Sequence, residues 1–112
     1  MTVTTQQWNT LVTYFLSTFK AKYDTAPKDF NRYRDKWGFQ AMIEDYGMDQ
    51  SKKIIDYYFE TARPYHTTNY LLFNYEKLNN AMLEREEDEA RRRKLREESR
   101  RRVEEWRKLN EQ

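Results

Sequence analysis

The sequence predicts an all-α protein: a compact four-helix, aromatic-rich head whose last helix extends into a long charged single helix. Apolar residues recur at steps of three and four, and only two glycines and two prolines interrupt them. Seventeen of the eighteen aromatic residues precede Leu83, whereas residues 84–112 are almost continuously charged. Large rings can stabilise a small core, because each buries roughly 150–250 Å². We therefore expect a helical bundle head, 1–83, and a charged helical extension, 84–112.

The first helix is predicted over Thr5–Tyr23, where Thr4 and Gln7 match a capping box. Its apolar face is expected to comprise Trp8, Leu11, Val12, Phe15, Leu16, Phe19 and Tyr23. The second helix is predicted over 28–46. Its inner side is expected to comprise Phe30, Tyr33, Trp37, Ala41 and Met42.

Two glycines punctuate this second segment. Gly38 either permits close approach of a neighbouring helix or breaks the segment into two short helices. Gly47 is a candidate left-handed C-cap.

A third helix is predicted over 50–63, with Asp49 as its N-cap and Pro64 ending it. Its inward residues are expected to be Ile54, Ile55, Tyr58, Phe59 and Ala62. Thr67 or Thr68 can cap a fourth helix. The apolar residues of that helix are Leu71, Tyr75, Leu78 and Met82.

The fourth helix is expected to continue beyond Met82, because no glycine or proline follows and strong helix formers dominate. Opposite charges stand four residues apart, a spacing that stabilises a helix. The pairs are Glu87–Arg91, Asp88–Arg92, Glu89–Arg93, Glu97–Arg101, Glu98–Arg102 and Glu104–Lys108.

Charge and composition exclude several classes of protein. The chain has 21 basic and 19 acidic side chains, and this near balance is unlike the overall basicity of a strong non-specific DNA binder. Without cysteine there is no disulfide or thiolate metal site. No apolar run approaches a membrane span, and the N-terminal residues do not resemble a secretion signal. We expect a cytoplasmic protein with no membrane contact.

Near the C-terminus, Val103, Trp106 and Leu109 form a small apolar stripe that predicts protein-partner binding. The alternative is a solvated single helix whose last turns fray. A coiled coil, and hence an oligomer, is weakly supported because charged residues interrupt any apolar heptad seam.

Basic residues in two places predict contacts with nucleic-acid phosphates. The head cluster surrounds the first inter-helix turn and consists of Lys20, Lys22, Lys28, Arg32, Arg34 and Lys36. In the tail, Arg92, Arg96 and Arg100 share one side of the helix. The alternative for the tail row is charge pairing with the interleaved glutamates.

Several aromatic residues exceed what single inward stripes accommodate: Tyr14, Phe39, Tyr57, Tyr65, Tyr70 and Phe73. They are either exposed, as stacking surfaces for bases or as interface anchors, or a second layer of core.

Catalysis finds little support in the sequence. His66 is the only histidine, and a structural hydrogen-bonding role is the simplest interpretation. No nucleophile–base set, metal-ligand repeat or phosphate-binding glycine loop is present. We expect no enzyme activity and no cofactor.

Residues 28–80 resemble small helical domains of bacteriophage replication proteins, of the replisome-organiser and helicase-loader type. The resemblance is carried by Trp37 with Met42-Ile43-Glu44-Asp45-Tyr46-Gly47, by Ile54-Ile55-Asp56-Tyr57-Tyr58-Phe59, and by Tyr70-Leu71-Leu72-Phe73-Asn74-Tyr75-Glu76-Lys77-Leu78. It implies a non-enzymatic accessory factor in DNA replication that bridges a helicase or its loader and nucleic acid. The alternative is a small transcription cofactor that binds RNA polymerase and links it to another factor. A third interpretation is an assembly adaptor whose tail bundles with other copies.

Overall fold

The computed structural model describes residues 3–111, and over these residues the protein is all-helical. Its helices are α1 (Thr5–Tyr23), α2 (Arg32–Glu60) and α3 (Thr68–Asn110). The chain divides into two compact units after Asn79. The predicted all-α class is confirmed, whereas the count of four helices and the long charged extension stay predictions.

Helix α1 forms where the sequence predicts it. Thr4 N–H donates to Gln7 Oε1 over 2.9 Å, and Gln7 N–H donates to Thr4 Oγ1 over 3.2 Å, which completes the capping box. The helix ends at Tyr23, and its C-cap Asp24 adopts the left-handed conformation (φ 58°) and donates its N–H to Lys20 O. Four residues of the predicted face are fully buried: Leu11, Val12, Phe15 and Phe19.

Helix α2 begins four residues later than predicted because Asn31 is its N-cap. The Asn31 side chain accepts hydrogen bonds from Tyr33 N–H (3.0 Å) and Arg34 N–H (3.1 Å). Gly47 has positive φ (79°), as a cap would, but its ψ is 170° and the helix resumes directly after it. Asp49 therefore lies within α2, and its predicted N-cap role is wrong.

The C-terminal half of α2 ends at Glu60, three residues before the predicted end. Its inward residues Ile54, Ile55, Tyr58 and Phe59 are buried as predicted. Ala62 lies beyond the helix and is exposed, so its predicted inward position is wrong.

The inner side predicted for the N-terminal half of α2 is right at Met42, which is buried, and wrong at Tyr33 and Trp37. Tyr33 is 84% exposed and Trp37 is 67% exposed, while Phe39, Met42 and Ile43 are buried. Phe39 packs against Phe15 of α1, with 5.5 Å between the ring centroids. At Gly38, α3 approaches closely, since an added Cβ would meet the Leu72 side chain at 2.8–3.0 Å. Of the two predictions for Gly38, the close approach is confirmed and the break is wrong, since the helix continues through it.

Helix α3 has two capping side chains at its start. Thr67 Oγ1 accepts from Tyr70 N–H over 3.1 Å, which confirms one of the two predicted caps. Asp29, in the connection before α2, accepts from Thr68 N–H (3.1 Å) and Asn69 N–H (2.9 Å). Asn74 departs from helical geometry (φ −130°, ψ 16°) within the helix.

The core is built from aromatic rings of α1 and α2. The ring centroid of Phe15 lies 5.5 Å from that of Phe39 and 5.6 Å from that of Phe59. Phe19 meets Phe59 edge-on at 6.2 Å. These rings hold α1 and α2 together.

Candidate nucleic-acid and partner surfaces

Two exposed rings lie one turn apart at the start of α2. Tyr33 and Trp37 are 84% and 67% exposed, and their spacing of four residues places them on one side of the helix. The Lys36 ammonium lies 5.2 Å from the centroid of the Trp37 ring, in cation–π geometry. This side of α2 therefore combines flat apolar surface with positive charge.

A cleft of about 380 Å³ adjoins these residues, lined by Arg34, Asp35, Gly38, Asn69, Leu72 and Phe73. The Leu72 side chain occupies the space that a Cβ atom at position 38 would need, which Gly38 leaves free. Phe73 is 85% exposed, so its ring is open to solvent at the edge of the cleft. We call this cleft, together with the exposed rings of Tyr33 and Trp37, the ring face.

Arg34 is held in place at the cleft. Its Nε lies 3.0 Å from Asp35 Oδ1, and its Nη2 donates to the Asp29 carbonyl oxygen. The hydrogen bond with Asp35 raises the pKa of the Arg34 guanidinium. The side chain nevertheless keeps 58% of its surface exposed, so it can contact a ligand.

The carboxylates beside the ring face are occupied by backbone amides. Asp35 is only 4% exposed, and its Oδ2 accepts from Asn31 N–H over 2.9 Å. Asp29 caps α3 through Thr68 and Asn69. The exposed charge of this region therefore comes mainly from lysine and arginine.

The predicted head cluster of six basic residues is divided among three segments. Lys20 and Lys22 lie in the last turn of α1. Lys28 lies in the connection, and Arg32, Arg34 and Lys36 lie on α2. Lys22 Nζ donates to Phe59 O over 3.0 Å, and Arg32 Nη1 donates to Asn9 Oδ1 over 2.6 Å. Of the six, Lys36 lies over the Trp37 ring, and Arg34 lines the same cleft as Phe73.

The surplus aromatic residues separate into core and surface. Phe39 is fully buried, so the core alternative is right for it. Tyr14 donates to Asp56 Oδ1 over 2.5 Å, and Tyr70 stacks on Tyr58 at 5.7 Å. Among these residues Phe73 is the most exposed.

The sequence reasoning missed Tyr33 and Trp37 as surface rings, because their spacing also fits a buried stripe.

His66 belongs to a closed hydrogen-bond network. Its ring Nε2 lies 3.0 Å from the Thr61 carbonyl oxygen, which can only accept, so Nε2 carries the proton. Nδ1 then accepts from Tyr23 Oη over 2.5 Å, and the same oxygen accepts from His66 N–H over 3.1 Å. Burial lowers the pKa of His66. With both ring nitrogens bonded, His66 links the connection 61–67 to Tyr23 at the end of α1, the structural role expected from the sequence.

The second unit carries a separate apolar stripe on α3. Val103, Trp106 and Leu109 are 50%, 66% and 74% exposed and recur every three residues. Leu95, also 62% exposed, precedes Trp106 by eleven residues, which is three turns of helix. We call Val103, Trp106 and Leu109 the apolar stripe.

The predicted basic row on α3 is exposed. Arg92, Arg96 and Arg100 are all solvent-accessible, and Arg92 pairs with Asp88 over 3.1 Å. Of the six oppositely charged pairs predicted in this region, Asp88–Arg92 is the one within ion-pair distance among the described residues. Arg96 and Arg100 therefore keep their donors for solvent or a ligand.

Within residues 3–111, no three histidine or carboxylate side chains gather as a metal ion would require. Over the same residues, none of the helices combines the length and apolar character of a membrane span. Comparisons with protein-family models, curated proteins and solved structures gave no match to this chain.

Proposed function

We propose that the protein is a non-enzymatic accessory factor in DNA replication, of the bacteriophage type, that bridges a helicase or its loader and nucleic acid. In this proposal the head comprises four helical segments: α1, the two parts of α2 before and after Gly47, and the first part of α3. The charged part of α3 forms the extension. The observation that carries the proposal is the presence of two chemically different exposed surfaces, one on each compact unit.

The ring face supports the nucleic-acid half of the proposal. Aromatic rings beside cations are the side chains on which proteins stack bases and neutralise phosphates. Trp37 with Lys36, and Phe73 with Arg34, provide both features, and the neighbouring carboxylates are occupied by backbone amides. Arg96 and Arg100 on α3 offer a second, purely electrostatic contact.

The apolar stripe supports the protein half. A tryptophan with 66% of its surface exposed is a typical interface anchor, and Val103 and Leu109 extend it along one side of the helix. Charged residues surround the stripe, as in the polar rim of a non-obligate interface. We expect the stripe to dock into an apolar groove of the replication protein.

The test is affinity capture from the native host with three tagged forms: the wild-type chain, Trp106→Ala and Trp37→Ala. We expect the wild type and Trp37→Ala to retain a replicative helicase or its loader, and Trp106→Ala to lose it. The two substitutions remove the same exposed side chain from different surfaces, so each is the matched control for the other.

Recovery of RNA polymerase subunits without any replication protein would refute the proposal in favour of the transcription cofactor. Self-association that Trp106→Ala abolishes, with no other protein retained, would indicate the assembly adaptor instead.

A further inference from the structure

We propose that the cleft between Arg34 and Phe73 holds an unstacked base of a single-stranded nucleic acid, and that Trp37 and Lys36 bind the adjacent nucleotide. This inference rests on the proposed function, because it names the form of nucleic acid that the ring face takes. It adds a defined site and a preference for single strands.

The cleft has the size and lining that a base requires. Its volume of about 380 Å³ lies at the small end of the range for ligand clefts, roughly 300–1,000 Å³. Leu72 and the bare backbone of Gly38 provide apolar lining, and the exposed Phe73 ring provides a stacking surface. Asn69 and Arg34 add polar groups that can hydrogen-bond to a base edge.

Asp35 also lines the cleft and pairs with Arg34, so Lys36 supplies the unpaired positive charge that favours an anionic ligand. Arg34 is oriented by Asp35 and by the Asp29 carbonyl oxygen while 58% of its side chain stays exposed. The Lys36 ammonium lies 5.2 Å from the Trp37 ring centroid, so a base stacked on Trp37 would have a cation within reach of its phosphate. An acidic peptide could pair with these cations, but it would offer few flat rings to stack on Tyr33, Trp37 and Phe73.

The rings favour single strands over duplexes. In a duplex the faces of the bases are covered by their neighbours, so Tyr33, Trp37 and Phe73 could not stack on them without first unpairing the strands. A single strand presents these faces freely, whatever its sequence. We therefore expect the ring face to bind single strands of different sequence with similar affinity, and to bind duplexes more weakly.

The experiment is fluorescence anisotropy of a labelled oligothymidylate, and of a duplex of equal length, with the full chain over a series of salt concentrations. We expect the single strand to bind more tightly than the duplex. Phe73→Ala and Trp37→Ala should each weaken binding roughly 5- to 100-fold, the usual effect of removing one stacking ring. Because both rings are exposed, neither substitution should disturb folding, which far-UV circular dichroism of each variant checks.

Trp106→Ala is the control for the two ring variants, and Lys53→Gln is the control for a further test variant, Lys36→Gln. Trp106→Ala removes an equally exposed tryptophan from the second unit and should leave oligonucleotide binding unchanged. Lys36→Gln should reduce the slope of log affinity against log salt by about 0.7, the value for one phosphate contact with a single strand. Lys53→Gln, an exposed lysine further along α2, should leave the slope unchanged.

Equal affinity for single strand and duplex, or wild-type affinity in both Phe73→Ala and Trp37→Ala, would overturn the inference. Loss of helicase or loader capture in Trp37→Ala, with oligonucleotide binding intact, would make the ring face a protein interface. If the wild-type chain shows this oligonucleotide binding but captures no replication protein, the inference stands and the bridging function fails. The two proposals can therefore fail separately.

Discussion

The Tyr23–His66 network leads to a quantitative prediction for Tyr23→Phe. The substitution removes one hydroxyl and keeps the ring, which packs 4.6 Å from the Phe19 ring centroid. Two groups of His66 lose their partner, Nδ1 and the backbone N–H, and His66 is fully buried. A buried polar group left without a partner costs about 1–3 kcal/mol. For two such groups we therefore expect the free energy of unfolding to fall by about 2–6 kcal/mol.

The assay is urea unfolding at neutral pH followed by far-UV circular dichroism. With a urea slope of about 1–3 kcal/mol per molar, the midpoint should fall by about 0.7 M or more. Tyr65→Phe is the matched control, because Tyr65 is 40% exposed and packs on Phe19 and Tyr23 through its ring. That variant should stay within about 0.5 kcal/mol of the wild type. If Tyr23→Phe behaves like its control, the network does not stabilise the fold and the reasoning is refuted.

Three further predictions concern pH, backbone strain and capping. Burial lowers the pKa of His66 from 6.5, so the native state favours the neutral ring; urea unfolding should show stability decreasing as pH falls below 6.5, and His66→Gln should flatten that dependence. Gly47→Ala should destabilise the protein by about 1–3 kcal/mol in the same assay although nothing lies within 4 Å of the added Cβ, because φ 79° with ψ 170° suits glycine alone; an unchanged midpoint would contradict this. Asp29→Ala should lower stability by about 1–2 kcal/mol by removing the cap of Thr68 and Asn69, and Asp29→Asn, which keeps one acceptor oxygen, should lower it less.

The sequence predicted best where local rules decide the structure. The capping box of Thr4 and Gln7, the buried face of α1 and the cap at Thr67 all depend on residues a few positions apart. Tertiary contacts decided the rest. On α2, both the Tyr33–Trp37 stripe and the Phe39–Ile43 stripe fit a helical period. The packing of Phe39 against Phe15 of α1 selects the second for burial.

The contact between Leu72 and Gly38 explains why the candidate site was only partly predicted. Arg34 and Lys36 were identified as phosphate contacts, and Phe73 as a surplus ring. The cleft that brings Arg34 and Phe73 together depends on α2 and α3 meeting at Gly38. Residues 34 and 73 are far apart in sequence, and no local pattern relates them. Gly38, already noted as a place for close approach, was the available signal for this meeting.

Each of the two connections is bonded to a helix end: His66 of 61–67 to Tyr23 at the end of α1, and Asp29 of 24–31 to the first residues of α3. An affinity tag or fluorescent label inserted in either loop should therefore disturb the helix end to which that loop is bonded. A protease that nicks surface loops should find them poor substrates for the same reason.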